Sequence, residues 1–154
     1  MGEKHLRSRQ VGEGPLRLGF VGRLEPYKGP HVLLEALAAI PRSVPLRLIV
    51  AGSGTEPPYL RTLEAAAAGD DRIEFLGSIS HGQLPDFLKR IDILAVPSNY
   101  METGPLVVLE AFAFGIPVMG ANLGGIAVKV CDTLRKREQF RRCGEQSSVL
   151  LAFI

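Results

Sequence analysis

A doubly wound α/β domain, with a parallel sheet between two layers of helices, is the fold class that the sequence predicts. Three observations carry it. Short apolar runs and amphipathic or Ala/Leu-rich segments alternate from Leu16 to Ala121. The first three apolar runs each end on a glycine, at Gly22, Gly52 and Gly77. Strands that alternate with helices need crossover connections, which makes neighbouring strands parallel and puts helices on both faces.

The elements follow in order. Residues 1–14 are polar and unpatterned and read as a linker or flexible terminus. LRLGFVG, residues 16–22, is a buried strand ending at glycine. HVLLEALAAI, residues 31–40, has helical spacing and strong helix formers. LRLIVAG, residues 46–52, repeats the strand-to-glycine design, Tyr59 to Ala68 is a second helix, and Asp71 to Gly77 a third strand. A short helix over Gln83 to Arg90 is entered through Ser80-His81-Gly82. Ile91 to Pro97 is a fourth strand, Leu106 to Phe114 a helix, and Ile116 to Ala121 a fifth strand.

The 154 residues suit one globular domain. A net charge of +2, with 22% charged residues, argues against disorder and against a polycationic nucleic-acid binder, so no nucleic-acid partner is expected. The charge is uneven: residues 1–128 carry 12 basic and 13 acidic groups, residues 129–154 carry 6 and 3. Cys131 and Cys143 are too few for a disulfide framework or a four-ligand zinc site and read as reduced thiols in a cytosolic protein. No signal-peptide pattern opens the chain, and Leu6 stands where a myristoylation start needs Ser or Thr. Glycines and Pro117 interrupt the longest uncharged run, 111–128, which is therefore not a membrane span.

On a sheet of this kind, ligands bind at the carboxyl ends of the strands. The loops there carry the chemistry. Gly52-Ser53-Gly54 lacks the third glycine of a dinucleotide fingerprint, Pro57 standing in its place, and Pro57-Pro58 delays the next helix. No Walker sequence, GxSxG elbow or HExxH pair occurs. Arg23 and Lys28 follow the first strand, where both cations could reach one diphosphate; read alone, they could equally be solvated. Glu110 lies in an otherwise apolar helix, so its carboxylate must be paired, hydrogen-bonded or facing a cleft. Glu102 precedes that helix, and the two acids could bracket a ligand whose phosphates rest on the helix start. A capping acid and a surface acid would give the same pattern.

Gly22-Arg23, Lys28-Gly29, Gly52-x-Gly54, Phe75-Leu76-Gly77, Pro97-Ser98, Glu102 through Glu110, Gly115-x-Pro117 and Gly124-Gly125 occur in that order. Taken together over residues 16–127, the set is similar to the C-terminal, nucleotide-sugar-binding domain of retaining glycosyltransferases of family 4, which have the two-domain GT-B fold. METGPLVVLEAFAFG carries the family's Glu-x7-Glu signature. The resemblance implies a Rossmann-like, three-layer α/β/α half of that fold over residues 15–128. It implies transfer of a sugar, with retained configuration, from a nucleotide-diphosphate sugar to an acceptor hydroxyl. By the same resemblance Arg23 and Lys28 contact the diphosphate, Glu102 lies beside the donor sugar, and Glu110 binds the ribose hydroxyls. The helix start at Gly104, Pro105 and Leu106 receives the phosphates, although Pro105 has no N–H to donate. Ser78 and Ile79 lie beside the base, and Gly22, Ser53, Gly54 and Thr103 complete the expected substrate-binding set. No metal and no cofactor beyond the nucleotide sugar is implied.

The family normally supplies an N-terminal acceptor-binding domain, often with a catalytic histidine. Residues 1–14 are too few for it, and His5, His31 and His81 are not placed to match, so that domain is expected elsewhere in a longer protein or in a partner chain. Val128 stands where the family has an acid, and 129–154 is a divergent tail. Truncation, an alternative transcript and a frameshift each account for such an end. A helix over Val130 to Arg142 is compatible with the pattern, and the apolar Val149 to Ile154 must be buried or will promote self-association. The implied location is cytoplasmic, peripheral to the inner membrane face. Two other readings stay open: a nucleotide-sugar-binding module or partner subunit without catalysis, and a nucleotide-sugar epimerase of the same fold.

Overall fold

The structure, a computed structural model, describes residues 14–100 and 106–121 and the backbone of 149–152. The strands are β1 (Leu16–Val21), β2 (Leu46–Ala51), β3 (Ile73–Gly77), β4 (Ile93–Val96), β5 (Val118–Ala121) and β6 (Val149–Ala152). The helices are α1 (Pro30–Ala39), α2 (Pro57–Ala67), α3 (Leu84–Arg90) and α4 (Leu106–Ala113). The sheet order is β3-β2-β1-β4-β5-β6, with β1 to β5 all parallel. The order reverses between β1 and β4, and the crevice that such a reversal opens lies beyond their carboxyl ends.

Both faces of the sheet are buried, as continuous apolar strands require. Leu48 and Val50 of β2 point to one face, against Leu33, Leu34 and Leu37 of α1 and Leu63 of α2. Ile49 and Ala51 point to the other, against Phe87 and Leu88 of α3 and Val108 and Ala111 of α4. Leu48 is 1% exposed, so Leu48→Ala would cost about 2–5 kcal/mol through lost burial and the cavity left behind.

At the amino-terminal edge of the sheet, polar side chains fasten the layers. Buried Arg72 donates to both Asp70 oxygens, at 2.9 and 2.7 Å, and to the carbonyls of Leu37 (2.9 Å) and Ile40 (3.0 Å). The Leu37 carbonyl also accepts the Ile40 N–H that ends α1 (3.1 Å), so Arg72, just before β3, adds a side-chain cap to that helix end. The guanidinium holds the Asp70 carboxyl at about 2. Arg17 and Asp92 tie β1 to the start of β4 through a two-pronged pair, at 2.9 and 3.1 Å.

Two details differ from the sequence reading. Helix α2 begins at Pro57, with the prolines in its first positions. No helical N–H is needed there, so the pair opens the helix rather than delaying it to Tyr59. The apolar segment at the chain's end forms β6, antiparallel to β5, with Val118 opposite Ala152 and Ala121 opposite Val149. An all-parallel sheet did not anticipate it, because nothing local to residues 149–152 names a partner some thirty residues upstream. The proposed helix over 130–142, both cysteines, and Gly124-Gly125 lie outside the described residues.

Candidate functional site

At the carboxyl edge, the loops after the strands are sewn to one another. The N–H of Leu24 donates to the Ser53 carbonyl (2.8 Å), and that of Gly52 to the Gly77 carbonyl (2.7 Å). The N–H of Asn99 donates to the Tyr27 carbonyl (3.0 Å), which links the loops on either side of the crevice. Glu25, 5% exposed, accepts from the Thr55 hydroxyl (2.8 Å) and N–H (3.1 Å). Those two bonds hold its carboxyl below the usual carboxylate range. A buried acid thereby latches the loop after β1 onto the loop after β2.

This rim encloses two adjoining cavities. One, of about 240 Å³, is lined by Val21, Gly22, Arg23, Gly52, Ser53, Ser78 and Ile79. The other, of about 300 Å³, is lined by Val21, Gly22, Ile79, Ser80, His81, Leu84, Val107 and Glu110. They share Val21, Gly22 and Ile79, and so form one groove across the ends of β1 and β3. A cation stands at one end of the groove and a carboxylate at the other.

Six of the residues expected from sequence therefore come together: Gly22, Arg23, Ser53, Ser78, Ile79 and Glu110. Glu110 is 29% exposed, and its Oε1 lies 3.5 Å from His81 Nδ1. Lys28 does not line either cavity; its Nζ lies 5.6 Å from the centroid of the Tyr27 ring. Gly54 lies beneath the rim, packed against the main chain of Leu24. Leu106, 72% exposed, opens α4. Glu102, Thr103, Gly104 and Pro105 lie outside the described residues.

Three neighbours of this groove carry no sequence signal of their own. Tyr27 sits between Arg23 and Lys28 in the chain, and an aromatic residue in a glycine-flanked loop has many readings. His81 belongs to a short turn, His81–Gln83, that leads into α3. Gln83 accepts from the Ser80 N–H (2.8 Å), which fixes that turn. Thr55 is identified only by its acceptor, Glu25, thirty residues away. Among the described residues, no group of three His, Cys, Asp or Glu side chains is placed to hold a metal ion. Nor is any described helix long and apolar enough to cross a membrane.

The groove and its fold have counterparts in known proteins. The profile of one family, Glycosyl transferases group 1, matches residues 2–137. The D-inositol 3-phosphate glycosyltransferase of Stackebrandtia nassauensis is 38% identical over 143 residues, which are 85% of this chain and 32% of that protein. This chain thus spans about a third of the length of the curated relatives it matches. Among solved structures, Anabaena Alr3699/HepE in complex with UDP and glucose superposes with a TM-score of 0.68 at 30% identity, covering 76% of this chain and 32% of that one. The C-terminal domain of the group 1 glycosyl transferase LpcC from Francisella tularensis has the same fold, with a TM-score of 0.63 at 21% identity over 81% of this chain and 77% of that domain. The doubly wound α/β/α sheet is the Rossmann-like half of a GT-B fold, and the chain belongs to the group 1 glycosyl transferase family.

Proposed function

We propose that this chain is the donor-binding domain of a retaining glycosyltransferase of the family 4 type, which moves a sugar from a nucleotide-diphosphate sugar to an acceptor hydroxyl. One observation carries the reading: a single groove at the carboxyl edge has Arg23 at one end and Glu110 at the other. A nucleotide-diphosphate sugar needs such a pair. Its diphosphate is an anion that Arg23 and Lys28 can neutralise, and its ribose hydroxyls are donors that a half-buried carboxylate can accept. Ser78 and Ile79, between the ends, flank the position of the base. The solved complexes of Alr3699/HepE with UDP and with UDP-glucose support this ligand class.

In the reaction, the bond between the sugar and the diphosphate breaks through an oxocarbenium-like state, and negative charge accumulates on the leaving group. Arg23, Lys28 and the start of α4 meet that charge. Preorganised groups of this kind usually make the largest contribution to catalysis. The resemblance assigns Glu102, the first acid of the Glu-x7-Glu element, to the donor sugar. The acceptor side is supplied by an N-terminal domain of the full-length protein or by a partner chain. The enzyme works in the cytoplasm, peripheral to the inner membrane face. Calorimetric titration of the 154-residue chain with a panel of nucleoside diphosphates and their sugars tests the reading. Saturable binding with a dissociation constant nearer the millimolar than the micromolar end, roughly −4 to −5.5 kcal/mol, is expected; no binding by any member of the panel would sink it.

A further inference from the structure

We propose that Tyr27 is a positioning residue for the diphosphate clamp: its side chain holds Arg23 and Lys28 in place before the ligand arrives. The inference rests on the donor-binding reading above and adds a residue to it.

Tyr27 is itself held from three directions. Its carbonyl accepts from the Asn99 N–H at 3.0 Å, across the crevice between the loops after β1 and β4. Its ring meets that of Tyr100 edge-on, with centroids 6.4 Å apart and planes at 73°. Its residue is the middle of a short turn, Pro26–Lys28, in which the Lys28 N–H donates to the Glu25 carbonyl at 3.0 Å. Glu25 is in turn the acid latched to Thr55. The ring belongs to neither apolar core cluster, so it is not there to fill the interior.

What the ring does touch is charge. The guanidinium carbon of Arg23 lies 5.6 Å from the centroid, and Lys28 Nζ lies at the same distance. An Arg23 Nη also donates to the Tyr27 hydroxyl. Two cations in one loop repel each other, and each has a long flexible stem. The tyrosine hydroxyl restrains the guanidinium at the ring's edge, while the ring attracts the ammonium and restricts its stem. A guanidinium has five N–H donors, so one bond to the hydroxyl leaves the others for phosphate oxygens. Ordering a long side chain on binding normally costs affinity, and a side chain ordered beforehand avoids much of that cost.

The hydroxyl addresses Arg23, whereas the ring addresses Lys28, and this difference supplies the test. Affinities of the full chain for UDP and for uridine are measured by NMR titration in Tyr27→Phe, Tyr27→Leu, Arg23→Ala and the combined variants. Tyr27→Phe should weaken UDP about threefold and Tyr27→Leu about tenfold, in the range expected for losing one ordered contact and then two. Uridine affinity should not change in either. With Arg23→Ala in place, the effect of Tyr27→Phe should vanish. The effect of Tyr27→Leu should vanish only when Lys28→Ala is added. The proposal is overturned if Tyr27→Phe acts fully without Arg23, or if UDP and uridine weaken together, as they would for a merely structural residue. Tyr27→Phe keeps the ring and its packing, so it decides the matter even if Tyr27→Leu fails to fold. Wild-type chain that binds neither UDP nor any other nucleoside diphosphate of the panel would remove the donor reading and this inference together. Binding with additive substitutions removes this inference only.

Discussion

Substituting Gly52 by alanine probes the closest approach between the loops that build the groove. A Cβ at this position would stand 1.8 Å from the Gly22 carbonyl oxygen and 3.0 Å from its carbonyl carbon. The backbone there has φ of +147°, which L side chains rarely adopt. To reach van der Waals distance one loop must move by roughly 1.5 Å, since carbon and oxygen prefer about 3.4 Å or more. That movement would stretch the bond from Gly52 N–H to the Gly77 carbonyl and the one from Leu24 N–H to the Ser53 carbonyl. Backbone strain of about 1–3 kcal/mol and overpacking of about 1–3 kcal/mol add to a loss of about 2–6 kcal/mol. That is a large part of the 5–15 kcal/mol that holds an ordinary domain together. Gly69 supplies an internal control, with φ of +76° but nothing within 4 Å of an added Cβ. Gly69→Ala should cost only the conformational part, about 1–2 kcal/mol. Urea unfolding of both variants, compared at their midpoints, separates strain from collision. If Gly52→Ala costs no more than Gly69→Ala, the two loops do not depend on that close approach, and the rigid-rim account of the groove is wrong.

The remaining expectations concern ligand, charge and completeness. Arg23→Ala should weaken nucleoside diphosphate binding by about 1.5–3 kcal/mol, the range for a charge-assisted hydrogen bond, and nucleoside binding far less; equal losses by calorimetry would place Arg23 away from the phosphates. Glu110→Gln should impair ribonucleotide binding more than binding of the deoxy analogues, and an unchanged ribonucleotide affinity would return Glu110 to a surface or pairing role. Asp70 is held at about 2, mainly by its hydrogen bonds to Arg72, against 3.8 for a free aspartate. Its contribution to stability is therefore fully present above about pH 4 and is lost as pH falls through about 2. Urea midpoints of wild type and Asp70→Asn should differ at neutral pH and converge in that acid window; a constant difference would mean that the pair does not act through charge. On the proposed reading, the chain by itself should bind donor without transferring sugar, because it spans about a third of its relatives' length; acceptor-dependent release of nucleoside diphosphate by the purified chain would contradict this.

How much of this was readable beforehand differs between the two edges of the sheet. The strands announce themselves because a strand buried on both faces must be apolar through its buried stretch, and β1 from Leu18 and β2 from Leu48 are, each after an arginine near its start. The groove announces itself because the work of its loops is done by residue types with few substitutes: glycine where backbones nearly touch, a guanidinium where an anion must sit. Glu110 illustrates the logic, since an acid among Val107, Val108 and Ala111 needs a reason, and the structure gives it both a cavity and His81. Arg72 shows where such reasoning stops. Followed by Ile73, it looks like any polar residue entering a strand, yet it caps α1 through carbonyls more than thirty residues away. Its role depends on which helix end the topology brings alongside, and a helix end has no side chain to leave a mark in the sequence. Tyr27 lies between these cases. The two cations that flank it suggested a ligand site, but a side chain that organises them works through its position in the turn and its tie to Asn99. Residues that meet a ligand directly are chosen by the ligand's chemistry and can be recognised one at a time. Residues that hold those residues in place are chosen by the fold, and they become legible only when the loops are seen together.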